Sequence, residues 1–417
     1  MRAILIELGI KLTRESYQKV MYYIYRDSVG MNEIEPLLND YYIEDIECNG
    51  LDVPVYLVHR KYRNLRTSIT FKDEKSLADF VEKLAQKCGR YVSFASPILD
   101  GTLPDGSRVN ATYSRDITTQ GPTFTIRKFT KEPWTPIHLM NQGTCSAKVF
   151  AFLWLALENS LNMIIVGETG SGKTTFLNAI CNFIPPEARV CSIEDTREIN
   201  INHENWLPAV TRESFGGKVE AIDLFVLLRE TFRQNPDYLI VGEVRGKEAF
   251  VLFQGMASGH PSMSTFHAGS VDTLIRRLET PPISLPASLL SSLDLVVVIS
   301  HIKDAKHDLR KVKEINELAL RDDLRVDSSA TFKWNPTDDT YAFNDSLSKV
   351  FEKISQFRAT NKEQLLIELR EREDLLIALQ KKGVLDYKEF SALINRYYKN
   401  KDAVLREYGV DTKEAKT

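Results

Sequence analysis

The stretch Gly167-Glu168-Thr169-Gly170-Ser171-Gly172-Lys173-Thr174 follows four apolar residues, Met163 to Val166, and leads directly into the run Thr175–Phe183. A short apolar strand, a glycine-rich loop and a helix start in that order match the P-loop pattern. Gly167, Gly170 and Gly172 let the backbone curl until successive N–H groups point at phosphate oxygens, and the helix start adds its positive end. Lys173 is placed to reach β- and γ-phosphates, and the Thr174 hydroxyl to bind Mg²⁺. The segment from Gly167 to Thr175, with Glu168, Thr169 and Ser171 inside it, is therefore the expected cradle for a nucleoside triphosphate.

Outward from this loop, apolar runs at Met163–Val166, Val190–Ile193, Tyr238–Val241, Ser262–Phe266 and Leu293–Ile299 alternate with helical segments. Runs of this kind are strands buried on both faces, and the alternation predicts an α/β domain around a parallel sheet. Upstream, Tyr17, Val20, Met21, Ile24 and Tyr25 recur at helical spacing, with Gly30 as a stop. Val53–Val58, Ser68–Phe71, Tyr91–Ala95, Val109–Tyr113 and Thr123–Phe129 read as strands. Leu77, Phe80, Val81, Leu84 and Cys88 share a face of one helix among them, and Asp100-Gly101 and Pro104-Asp105-Gly106 read as turns. This predicts a smaller α+β domain over 1–132, a linker marked by Pro133 and Pro136, and the P-loop domain over 133–320. Leu365, Leu366, Leu369, Leu376 and Leu379, then Phe390, Leu393 and Ile394, predict a mainly helical region over 321–417, either a solvated cap or a docking surface.

Composition narrows the classes. The 417 residues are 43% hydrophobic and 27% charged, which fits globular cores and, at roughly 150 residues each, two or three domains. Lys+Arg 54 against Asp+Glu 57 leaves a net charge of −3, which argues against a broadly basic nucleic-acid binder. Cys48, Cys88, Cys145, Cys181 and Cys191 are odd in number and form no C-x-x-C pair, so a reducing compartment is expected. The longest apolar stretch, Val149 to Leu157, is too short to span a bilayer, and the few apolar residues between Arg2 and Glu7 do not make a signal peptide. Any membrane link is expected to come through a partner.

A P-loop leaves the fate of the nucleotide open. Hydrolysis also needs an acidic strand end for the metal and a group that orients water. Tyr238-Leu239-Ile240-Val241 runs into Gly242-Glu243, which makes Glu243 the expected companion of Thr174 at Mg²⁺. Ser192-Ile193-Glu194-Asp195 ends in two carboxylates, with Glu194 the candidate water-activating base and Asp195 a competing turn residue. Parallel strands end together at the ligand edge, so these acids are expected to converge on the loop. In Gly259-His260-Pro261-Ser262-Met263-Ser264-Thr265-Phe266-His267-Ala268, two histidines flank a predicted strand without the further ligands a zinc site needs. His267 is expected at the γ-phosphate, and His260 is either a second contact or a hydrogen-bonded turn residue. Arg108, Arg127, Arg229, Arg233 and Arg245 complete the candidates for phosphate neutralisation, each against the alternative of a surface salt bridge. Arg127, shortly before the linker, is the leading one for delivery by a hinge motion onto its own or a neighbour's nucleotide.

Taken in order, the boxes at 167–174, 192–196, 237–246 and 259–268 resemble the secretion ATPase superfamily: type II secretion, type IV pilus and archaellum motors, and type IV secretion ATPases. Tyr42-Ile43-Glu44-Asp45-Ile46, His59-Arg60-Lys61-Tyr62 and Leu103-Pro104-Asp105-Gly106-Ser107-Arg108 look like the N-terminal domain of its archaeal members. Thr196 stands where many bacterial relatives have proline, Gly246 where many have aspartate, and the four-cysteine insert of bacterial type II members is absent. All three departures favour the archaeal branch. The resemblance implies a RecA-like P-loop domain and a cytoplasmic homo-hexamer peripheral to the inner face of the membrane. It implies ATP and Mg²⁺ as cofactors and a polytopic membrane platform protein as partner. Archaellum, pilus and secretion roles stay open, beside two rivals: a RecA-like nucleic-acid translocase and a nucleotide-dependent scaffold with little turnover.

Overall fold

The computed structural model describes residues 7, 10–212, 220–303, 308–321, 326–346 and 348–410. Arg2 to Ile6, weighed above for a signal peptide, lie outside the described residues. The chain divides into two compact units, Met1–Phe129 and Thr130–Thr417.

The first unit holds a six-stranded antiparallel sheet of β1 (Ile43–Cys48), β2 (Pro54–His59), β3 (Arg63–Thr70), β4 (Ile98–Thr102), β5 (Arg108–Thr112) and β6 (Thr123–Arg127). Its order is β3-β2-β1-β6-β5-β4. The helix Glu74–Lys87 buries Leu77, Phe80, Val81 and Leu84, and Phe80 packs against Phe71 and Phe124. Strand β6 shows why one face is covered and the other open. Phe124 and Ile126 are buried while Thr125 and Arg127 are exposed, the alternation of a half-buried strand.

Several expectations are corrected in this unit. Tyr91–Ala95 is not a strand; Ser93 and Ser96 exchange backbone bonds of 3.1 Å and close a tight turn instead. Strand β4 runs through Asp100-Gly101, read from sequence as a turn. A Cβ on Gly101 would meet Cys88 Cβ at 2.9 Å, so the glycine reflects a close approach of the helix end. Strand β1 was hidden by its acids, because a register shift between Ile43 and Asp45 breaks the period of two.

The second unit is built on nine strands: β7 (Met163–Val166), β8 (Val190–Glu194), β9 (Trp206–Val210), β10 (Tyr238–Val244), β11 (Ser262–Phe266), β12 (Leu295–Lys303), β13 (Asp308–Leu320), β14 (Val326–Asn335) and β15 (Thr340–Phe343). The order is β15-β14-β13-β12-β7-β11-β10-β8-β9. Pairing is parallel from β12 through to β9 and antiparallel from β12 to β15. Every residue of β7 is buried, Met163 and Ile165 into one core and Ile164 and Val166 into the other. A sheet covered on both faces dictates that pattern. The fold is thus α/β, a P-loop domain of RecA-like type, with a smaller α+β unit before it.

The division between Phe129 and Thr130 falls three residues before the expected boundary at 132, and the residues beyond 320 belong to the second unit. Pro136 is not linker but the first residue of the helix Pro136–Asn141, whose cap Thr135 forms a capping box with His138. Residues 326–343 are not helical; β14 and β15 extend the sheet. Helices Lys349–Arg358, Lys362–Lys382, Tyr387–Lys399 and Lys401–Glu407 do follow, and Leu365, Leu369, Leu376, Leu379, Phe390, Leu393 and Ile394 are buried in the same core as Phe150 and Trp154. Trp154 Nε1 donates to Tyr398 Oη at 3.0 Å, and the buried Arg372 pairs with Glu158 and Glu368. This region is therefore structural core rather than a solvated cap. Among the described residues no helix is long and apolar enough to cross a membrane.

Candidate nucleotide site

Strands β7, β8, β10 and β11 run parallel, so their C-terminal ends share one edge, and the sequence-predicted groups gather there. The P-loop leaves β7. Gly170 and Gly172 take φ of +74° and +89°, conformations open to glycine, and Gly172 caps the helix Lys173–Ile180 in the left-handed region. Gly167 is fixed by space: an added Cβ would lie 2.4 Å from both Ile299 O and Ser171 Oγ. Glu168, Thr169 and Gly170 form the exposed crest, while Thr174 and Thr175 stand in the first turn of the helix.

Lys173 is buried, and its Nζ donates to Gly167 O and Glu168 O at 3.1 Å each. Burial lowers its pKa, and the nearby Glu243 charge partly opposes that shift. His267 follows β11 and places Nδ1 3.4 Å from Lys173 Nζ and Nε2 2.9 Å from Glu243 Oε1. Burial first, then the Lys173 charge, lowers the imidazole pKa, so the ring is neutral at neutral pH. Glu243 Oε2 receives Arg245 Nη2 at 2.6 Å, while Oε1 is buried with no aligned hydrogen bond.

Glu194 ends β8 at 2% exposure. Its Oε1 accepts from the backbone N–H of Glu198 at 2.9 Å and of Ile199 at 2.8 Å, whereas Oε2 is buried and unpartnered. Burial raises its pKa to about 7, the two N–H groups pulling the other way. A Cβ on Gly242 would approach Glu194 Cγ at 2.9 Å, so glycine lets this carboxylate lie one residue from Glu243. Thr265 Oγ1 donates to Gly242 O at 2.7 Å and ties β11 to this point. Asp195 is exposed just beyond.

The other candidates make different contacts. His260 precedes β11 and lies at the opposite end of that strand from His267, its ring 5.0 Å from that of Phe232. Within this chain the length of β11 separates it from the end where His267 meets the loop. Arg233 pairs with Glu230 at 3.3 Å and the Arg229 guanidinium lies over Phe225, contacts within their own helical segment. Arg108 pairs with Asp100 at 2.9 Å and Arg127 with Asp45 at 3.4 Å, both in the first unit. Sequence reasoning missed Arg310, which no motif announces: from β13 its Nε donates to Gly170 O at 3.1 Å.

The residues fit a Mg-nucleotide. A glycine cradle opens a helix, a buried lysine leads into it, and the buried Glu243 Oε1 and Ser171 Oγ hold unfilled hydrogen-bonding capacity. Such an edge defines a P-loop nucleotide-binding protein. A family model described as "Type II/IV secretion system protein" matches residues 27–337, and one described as "PilB3-like, C-terminal" matches residues 337–415. The chain belongs to the type II/IV secretion system protein family. It is 40% identical over 394 residues to the uncharacterized protein MJ0900 of Methanocaldococcus jannaschii, covering 93% of this chain and 71% of that one. It is 32% identical over 251 residues to the type IV secretion system protein PtlH of Bordetella pertussis, covering 52% and 73%. The VirB11 ATPase of the Brucella suis type IV secretion system, solved with sulphate, aligns at 25% identity and a TM-score of 0.34 over 68% of this chain and 92% of that one. The archaeal relative agrees with the branch favoured by Thr196 and Gly246.

Proposed function

We propose that this chain is an ATP hydrolase that works as a cytoplasmic homo-hexameric motor at the inner face of the membrane. Its ATP turnover would act on a polytopic platform protein to assemble or rotate a type IV pilus-like filament, or to drive type II-like secretion. The observation that carries the hydrolytic reading is Glu194: a buried carboxylate with one unpartnered oxygen and a pKa near 7, set beside Gly242-Glu243. A base matched to the working pH can take a proton from water as its oxygen attacks the γ-phosphorus and the bond to the β-phosphate oxygen breaks, giving ADP and phosphate. Lys173 draws charge from the phosphates, Arg245 bonds Glu243, and the His267 ring stands between Glu243 and Lys173. Thr174 and Glu243 are the residues that would hold Mg²⁺, which screens phosphate charge when bound. Arg108 and Arg127 stay proposed phosphate contacts on the sequence argument, and Arg127→Ala, expected to bind ATP but lose most hydrolysis, tests it.

Purified full-length protein is expected to release phosphate from ATP in steady state, and Lys173→Ala to fall below a tenth of that rate, about 1.4 kcal/mol of lost barrier stabilisation. Wild-type turnover no higher than that of Lys173→Ala would favour the scaffold. ATPase stimulation by DNA would favour the translocase.

A further inference from the structure

Arg310 belongs to none of the boxes read from the sequence, yet it touches the phosphate cradle. It is exposed on β13, in the antiparallel extension of the sheet, and sits opposite His301 of β12. Its Nε donates to Gly170 O at 3.1 Å, and its Cδ lies 3.0 Å from where a Cβ on Gly172 would stand. Among the described residues, Nε–H to Gly170 is the one hydrogen bond of this guanidinium.

The bond matters because of where it falls. Gly170 and Gly172 both have positive φ, and glycine peptides in that region turn over easily for want of a Cβ. A trans peptide sets the carbonyl of one residue opposite the N–H of the next. Arg310 holds the Gly170 carbonyl, and the Ser171 N–H at the other side of that peptide donates to Glu168 O at 3.2 Å. The 170–171 peptide is thus held from both sides. The Nη groups stay available beside a loop shaped for anions, and a planar guanidinium is suited to bind phosphate oxygens while keeping its Nε bond.

We propose that Arg310 is a nucleotide-positioning residue: it fixes the crest of the P-loop and binds the polyphosphate of ATP and ADP alike. This rests on the ATP-hydrolase reading above. A contact made equally to substrate and product, and not specifically to the transition state, raises KM and Kd when lost and leaves kcat nearly unchanged.

The experiment uses full-length wild type, Arg310→Ala, Arg310→Lys and Lys173→Ala, with mant-ADP titration, steady-state ATP hydrolysis and nucleotide-free melting. Arg310→Ala is expected to raise Kd for mant-ADP and KM for ATP together by roughly tenfold, the size of a lost charge-assisted hydrogen bond, with kcat within about twofold. Arg310→Lys, which keeps the charge but not the planar fork, is expected to recover part of the loss, and melting of the exposed-site variants to match wild type. Unchanged Kd and KM in Arg310→Ala would overturn the proposal, as would a fall in kcat alone or a loss that follows reduced melting temperature. A wild type that binds mant-ADP no better than Lys173→Ala would instead sink the nucleotide reading itself.

Discussion

His267 Nε2 stands 2.9 Å from Glu243 Oε1. The other ring nitrogen stands 3.4 Å from Lys173 Nζ, so one imidazole links the C-terminal end of β10 to the P-loop lysine. With its pKa lowered by burial and by Lys173, the ring stays neutral, so Nδ1 can offer its lone pair to Lys173 while Nε2 stands beside Glu243 Oε1 without an aligned hydrogen bond.

Replacing that ring with a methyl group should uncouple Glu243 from Lys173 without removing the cradle. His267→Ala is expected to keep ATP affinity within about threefold while hydrolysis falls roughly 10²-fold, the scale of a mispositioned catalytic group. Nucleotide binding and phosphate release measured on the same preparation check it; loss of binding in step with turnover would count against the linking role.

Gly242 tests the packing of the two carboxylates. It lies within a strand, so a side chain there strains space rather than backbone, and a Cβ would press on Glu194 Cγ at 2.9 Å. Gly242→Ala is expected to cost about 1–3 kcal/mol of stability and to displace the base, with most hydrolysis lost. Chemical denaturation alongside activity provides the check, and full activity would show that Glu194 can move without consequence.

The C-terminal helices offer a test by stability alone. Arg372, at 2% exposure, pairs with Glu158 and Glu368, and its guanidinium lies 5.5 Å from the Trp154 ring. Arg372→Ala is expected to destabilise the second unit by roughly 3 kcal/mol, because it removes a buried guanidinium and leaves the Glu158 carboxylate unpaired, while Glu368 keeps Arg358. A denaturation midpoint equal to wild type would mean that the helices do not share the core.

The legible parts of this molecule were those where local chemistry and tertiary role coincide. The P-loop needs its glycines whatever surrounds it, and the runs at Met163, Val190, Tyr238 and Ser262 are apolar because both faces of β7, β8, β10 and β11 are covered. Elements were missed where a charge or glycine is explained only by a distant neighbour. Glu317 in β13 is buried, yet it accepts hydrogen bonds from Thr331, Ser348 and the Val350 backbone, and nothing local in sequence signals those partners. Gly101 in β4 has the same origin in Cys88. His260 failed in the opposite way: a box motif places two histidines near each other in sequence, but a strand between them sends them to opposite edges. Arg310 could be found only from the fold, since β13 reaches the loop through pairing with β12.

Glu194 is the proposed base, and its titration bears on that role. Its pKa is raised on folding, so the carboxyl holds its proton in the folded chain over a range where the unfolded chain has released it. Folded-state stability from this group is therefore gained as pH falls from about 7 towards 4.5 and lost as pH rises, on the order of 3 kcal/mol across the range. The same proton blocks a base, so ATP hydrolysis should fall as pH drops below about 7 while nucleotide binding persists. The decisive measurement is kcat for ATP hydrolysis against pH, from about 5.5 to 8.5, in wild type and Glu194→Gln. An acid limb near pH 7 in wild type, and in Glu194→Gln a rate lower by roughly 10² or more with that limb gone, is the predicted result. A Glu194→Gln enzyme that turns over ATP like wild type, or keeps the same acid limb, would contradict it.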